Sequence, residues 1–220
     1  MCGRYALHVF LHEIEDRFDA TLMKPKQDWT PRFNIAPTQV SPVILEKDGK
    51  RKIEMMRWGL VPSWAKDKKI GSKMINARSE TVFEKPSFRN AVKKRRCIVP
   101  ASSFYEWKIE NGVKTPMRIF GKVHALLGLA GLYEFWNSPE GEILETYTIL
   151  TTSANQFMGS IHDRMPVILQ KKDESQWLDI KQEPPQILFE PSQLELEAFP
   201  VSKLVNSPKN DIPECIEPLA

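Results

Sequence analysis

No stretch of this chain is apolar for long enough to cross a bilayer as a helix. The first residues also lack an apolar secretory core, because Arg4, His8, His12 and acidic side chains interrupt them. A soluble, cytoplasmic protein with no membrane partner is therefore expected. Cysteine is scarce: Cys2, Cys97 and Cys215 are the three in the chain, and no two form a CxxC pair. That spacing argues against a structural zinc site and against a disulfide framework. An excess of one charge is missing as well. The formal net charge of +3 is too small to require a nucleic acid or an anionic membrane. There is no glycine-rich phosphate loop, no alternation of strands and helices, and no repeat of solenoid period.

Proline is what the sequence has in quantity. Seventeen prolines divide the chain into short pieces, while 41% hydrophobic residues suffice for a sizeable core. Leu11, Ile14 and Phe18 have helical spacing. Residues 31–62 read as a loop and then a hairpin turning at Asp48-Gly49. A helix is expected from about Ser87. Strands are expected around 97–108, 114–120, 124–136, 145–154, 164–170 and 196–206. Short helices fit 155–162 and 173–180. The fold class is α+β: one domain over 1–220, with a strongly bent, mostly antiparallel, barrel-like sheet. Residues 206–220 read as a flexible tail. Cys97 and His124 read as structural, Cys215 as incidental. The basic runs 66–69 and 93–96 read as solvated faces sooner than as binding patches.

Four stretches place reactive or hydrogen-bonding groups between apolar segments: MCGR, INARSET, PASSFYEWK and IHDRMPVIL. Glu106 ends a strand-like run. It is either an edge glutamate facing water or a partly buried acid fit for proton transfer. His162 is either satisfied by nearby backbone or a proton carrier. Asn76 and Arg78 are either turn and solvent residues or an orienting amide beside a phosphate-holding guanidinium. Trp58 reads as core. Trp64, next to Lys66, is the better candidate for an exposed stacking platform. Cys2 stands apart. Met1 before a small residue is normally removed, which would leave an α-amine and a thiol on one residue.

As an ordered set, MCGR, NIAPTQ, RWGLVPSWAKD, NARSET, RRCIVPASSFYEW, TILTTSAN and IHDRMPVIL resemble the SRAP (SOS response-associated peptidase) family. The resemblance spans residues 2 to about 205. It implies recognition of abasic sites in single-stranded DNA and covalent attachment to them through Cys2. Asn76, Glu106 and His162 match the family's supporting polar residues. Arg4, Trp64, Arg78, Trp107 and Arg164 match its DNA contacts, with Pro37 and Thr152 as weaker matches. A monomer acting on DNA, nucleoid-associated while it does so, with no metal or organic cofactor, is the corresponding expectation.

The chemistry the resemblance implies is specific. A neutral α-amine attacks the aldehyde of an open abasic sugar, and the thiol then closes a five-membered thiazolidine ring. Three other activities compete. An N-terminal-nucleophile amidotransferase also begins Met-Cys-Gly, but such chains continue with Ile where this one has Arg4. A thiol peptidase is expected to cleave only its own Met1. A non-covalent single-strand binding module would not need Cys2, Glu106 and His162 together.

Overall fold

The computed structural model describes residues 2–23 and 28–219; Met1, whose removal the sequence suggests, lies outside the described residues. The N-terminal third gives β1 (Tyr5–Leu7), α1 (Leu11–Phe18), β2 (Ala20–Leu22), β3 (Arg32–Ile35), β4 (Val40–Lys47), β5 (Lys50–Trp58) and β6 (Asn76–Arg78). The middle gives α2 (Ala91–Lys94), β7 (Arg96–Ala101), β8 (Ser103–Glu110), β9 (Val113–Gly121), β10 (Leu127–Asn137) and β11 (Ile143–Ser153). Then follow α3 (Gln156–Gly159), β12 (Arg164–Pro166), β13 (Ile168–Leu169), α4 (Glu174–Leu178) and β14 (Leu196–Pro200).

Five strands close on themselves. β5 pairs β4, β4 pairs β7, β7 pairs β10, and β10 pairs β11, all antiparallel. β11 then returns to β5 in parallel, with Thr146 opposite Arg57 and Tyr147 opposite Trp58. The ring has no free edge between these strands, which removes a site of unwanted strand pairing. The β4–β5 turn holds Asp48 and Gly49 at φ of 53° and 71°, the left-handed pair that a two-residue hairpin requires. Inside the barrel, Tyr5, Ser41 and Tyr147 form a buried triangle of hydroxyls, with O–O distances of 2.6, 2.7 and 2.7 Å. Each hydroxyl can donate once and accept once, so the triangle satisfies itself. Ser41→Ala is expected to lower stability by about 1–2 kcal/mol, read by chemical denaturation, because it breaks two of these bonds.

A second, antiparallel sheet runs β14-β9-β8-β1-β3. Its β1 has two faces. Tyr5 enters the main core, while Ala6 joins a smaller cluster with Tyr105, Val201 and Val205. Strand alternation divides β8 the same way: Phe104 faces the main core and Tyr105 the outer cluster.

The bent, barrel-like α+β fold is as the sequence suggests, and α1 spans the residues its spacing picked out. Four readings need correction. The helix expected from about Ser87 is confined to Ala91–Lys94, preceded by turns. His124 is exposed in the loop before β10 and is not a strand residue. The segment after 205, read as a flexible tail, is packed on the outer face of the second sheet. There Asp211 accepts the backbone N–H groups of Phe33 (2.6 Å) and Asn34 (2.9 Å) and pairs with Arg32. Cys215, part of this segment, is buried, and Val201 bridges to Pro218. Of the basic run 93–96, only Lys93 and Lys94 are exposed. Arg95 pairs with Glu134, and Arg96 is buried among backbone carbonyls. Among the described residues, no helix is long and apolar enough to cross a membrane.

Candidate active site at the N-terminus

Strand pairing brings three separated segments, those of Asn76, Glu106 and His162, to Cys2. β11 lies between β6 and β12, with Thr151 opposite both Arg78 and Pro166. The first of these pairings is parallel and sets Asn76 beside Ile149. The second sets Arg164, two residues after His162, opposite Ser153. β1 pairs β8 at Tyr5–Phe104, so the residues before Tyr5 run alongside the strand that carries Glu106. Glu106 shares the inward face of β8 with Phe104.

Cys2 is fully buried, and its carbonyl oxygen accepts a 2.8 Å hydrogen bond from Asn76 Nδ2. That bond fixes the Asn76 amide, whose Oδ1 is buried without a hydrogen-bond partner among the described residues. An acceptor held this way suits an incoming N–H or O–H group. Glu106 is 2% exposed. Burial pushes its carboxyl above the usual range, opposed by the nearby imidazole of His162. Burial also raises the Cys2 thiol, and the Glu106 charge adds to the effect, so the two groups are near enough to sense each other.

His162 completes the set. Its Nε2 lies 3.8 Å from Glu106 Oε2, an electrostatic contact longer than a hydrogen bond. Its Nδ1 meets two opposed demands. The Arg164 backbone N–H points at it from 3.0 Å and needs a lone pair, while Asp163 Oδ1 at 2.8 Å needs a proton there. Asp163 is largely solvent-exposed, and the backbone contact is the better fixed of the two. We therefore assign the tautomer with its proton on Nε2, facing Glu106. The arrangement can pass a proton between a buried acid and an imidazole beside a residue that offers both nitrogen and sulfur.

Arg78 is exposed at the end of β6. Arg164 forms a bidentate pair with Glu80, with Nη2 at 3.0 Å from Oε2, and also donates to the Thr151 carbonyl at 2.7 Å. This pairing holds Glu80 below the usual carboxylate range. Trp64 is 59% exposed. Its loop is anchored by a close backbone approach of Gly59 to Gly71, where a Cβ on either glycine would lie 2.5 Å from the other's carbonyl oxygen. Trp58 is core, as read, and donates to the Ile75 carbonyl. Pro37 is half-buried, and Thr152 is buried in β11.

Arg4 and Trp107 are not brought to the same face as Glu106. Adjacent residues of β8 point oppositely, so Trp107 lies on the outer face, donating to Asn206 Oδ1 at 2.7 Å. Arg4 is buried there, donating to Asn34 Oδ1 at 2.9 Å and to the Val205 carbonyl at 2.7 Å. Asn34 drew no functional reading from the sequence. Its signal is its place at the head of the NIAPTQ motif, in the stretch read as a loop.

Comparison with known proteins identifies the family. The family model described as SOS response associated peptidase (SRAP) matches residues 1–208. The abasic site processing protein YoqW of Bacillus subtilis (strain 168) is 49% identical over 222 residues, covering 99% of each chain. The abasic site processing protein HMCES of Gallus gallus is 36% identical over 226 residues, covering 87% of this chain and 67% of its own. A crystal structure of a protein from Bacteroides thetaiotaomicron superposes with a TM-score of 0.87 at 27% identity, covering all of both chains. The chain belongs to the SOS response associated peptidase (SRAP) family.

Proposed function

We propose that this protein recognises abasic sites in single-stranded DNA and joins itself to them through Cys2 after loss of Met1. The observation that carries the proposal is the convergence on Cys2. Asn76 holds its carbonyl, a buried Glu106 senses its thiol, and His162 lies against Glu106. A non-covalent binding surface has no use for this buried set. The names of the relatives, abasic site processing proteins, supply the DNA lesion as the substrate.

The steps balance without a further reagent. The Cys2 α-amine attacks the aldehyde carbon of the ring-opened sugar, forming a C–N bond and a carbinolamine. His162 and Glu106 supply and take back the protons needed to open the sugar and to expel the hydroxyl as water. This leaves an imine. Sulfur then adds to the imine carbon, and the thiol proton moves to nitrogen with Glu106 as carrier. One water is released for each thiazolidine formed. Asn76 orients the Cys2 backbone, and its Oδ1 can accept from the amine or the sugar hydroxyl. The raised thiol pKa favours this order, because the amine reacts first and sulfur adds only after the electrophile is in place.

Arg78 and Arg164 hold phosphates flanking the lesion, and Trp64 stacks on a neighbouring base. Arg78→Ala and Arg164→Ala are expected to weaken binding to abasic single strands similarly for all flanking sequences. Each should flatten the log–log salt slope by about 0.7, the value for one phosphate contact on a single strand. Fluorescence anisotropy across a salt series measures both effects. Peptidase activity in this reading is confined to removal of Met1.

The deciding experiment incubates protein whose mass shows Cys2 as the first residue with an abasic oligonucleotide, followed by a denaturing gel. A heat-stable shifted band is expected. No band, together with hydrolysis of glutamine, would favour the amidotransferase reading.

A further inference from the structure

The outer face of the second sheet is built around one side chain. Asn34 is completely buried. Its Nδ2 faces three carbonyls of the C-terminal segment, those of Asn210 (2.6 Å), Ser207 (3.0 Å) and Val205 (3.3 Å). Its Oδ1 accepts from Arg4 Nη1, which donates also to the Val205 carbonyl. Asp211 holds the same segment to the backbone of β3 at Phe33 and at Asn34 itself. The segment thus grips a side chain two residues from Cys2.

We infer that Asn34, with the C-terminal segment it binds, positions the reacting N-terminus. This rests on the reading of Cys2 as the reacting residue. Arg4 is clamped through its side chain, and its carbonyl accepts from Tyr105 N–H at 2.9 Å. Cys2 is clamped through its carbonyl by Asn76. With both ends of this short stretch fixed, the α-amine of residue 2 has little freedom relative to Glu106. An amide suits position 34, because one end accepts from a guanidinium while the other donates to converging carbonyls. A carboxylate in its place keeps the first contact and turns the second into repulsion between oxygens. Asn34 is a positioning residue, since nothing places it against the reacting atoms. The family model ends at residue 208, so Asn210 and Asp211 lie past its limit.

The test uses the full chain with Cys2 freed. Asn34→Asp is compared with the parent for the crosslinking rate constant at saturating abasic oligonucleotide, the final yield, and affinity for an oligonucleotide bearing an unreactive tetrahydrofuran abasic analogue. The rate constant should fall between about tenfold and a hundredfold, the scale expected for small misplacement of a reacting group. Affinity for the analogue should hold. A merely structural role would instead lower the yield, as part of the protein unfolds, and leave the rate constant of the remainder unchanged. Asp211→Ala loosens the segment while leaving Asn34 and Arg4 in place. It should slow the reaction by about tenfold and serves as the test if Asn34→Asp does not fold. Parent-like rate constants in the folded variants would overturn the inference. Failure of the parent itself to form an adduct would instead overturn the proposed function.

Discussion

Cys2→Ala is expected to give no heat-stable adduct with abasic DNA, while Cys97→Ala and Cys215→Ala give the parent's yield. All three thiols are buried, so burial does not distinguish them. Neighbours do. Cys97 lies in the barrel wall opposite Gly131, and Cys215 contacts the Asn210 carbonyl within the C-terminal segment. Only Cys2 senses the Glu106 carboxylate and has Asn76 on its own backbone. Cys2→Ser is informative because it keeps the amine. It should form an imine that borohydride traps but that heating destroys otherwise, since sulfur is absent to close the ring. A heat-stable band from Cys2→Ala, formed without reductant, would mean that another residue is the nucleophile. The same logic applies to residue 1. An uncleavable tag makes the Cys2 nitrogen an amide, so the tagged form should bind DNA and yield no adduct by intact mass.

Glu106→Gln is the second substitution with a large expected effect. It should slow crosslinking by about 10²–10⁴-fold, the usual contribution of a positioned proton carrier, with affinity for the unreactive analogue retained. It should also stabilise the fold at neutral pH. Burial raises the carboxyl, so the folded chain binds that proton more tightly than the unfolded chain. The proton's contribution to stability is fully present below the ordinary carboxylate range. It is lost as pH climbs through the raised value, where a charge must be kept in a buried place. Glutamine carries no such charge. Thermal melts should therefore show the variant more stable than the parent at neutral pH, with the difference closing on acidification below the ordinary carboxylate range. A variant that is slower but no more stable at neutral pH would argue against a desolvated carboxylate.

The parts of this molecule that could be read from the sequence are those governed by neighbours in the chain. The helical spacing of Leu11, Ile14 and Phe18 and the Asp48-Gly49 turn are local, and both elements form where expected. So are the long apolar strands that became β10 and β11. β2, β3 and β6 are three or four residues each and owe their form to distant partners, so no local pattern announces them. Parallel closure of β5 on β11 is equally non-local. The site divides in the same way. Glu106 stood between two readings until alternation along β8 put it on the inward face. That alternation also sends Trp107 to the opposite side, though the two are adjacent in sequence. Arg4 matched a DNA contact of the family, and nothing in MCGR shows that Asn34 and Val205 will enclose it.

The route of the chain through the site has a consequence in time. Residue 2 is made before every group that encloses it: the barrel that buries it cannot close before β11 has been made, and His162 follows later still. At the usual pace of synthesis, the second residue waits on the order of ten seconds for the groups that will enclose it. During that interval the start of the chain is open to an aminopeptidase. Afterwards the fold surrounds Cys2. Processing of the N-terminus by another enzyme is thus a race against folding. Slowing translation between residues 76 and 162 should raise the processed fraction, and accelerating closure of the barrel should lower it.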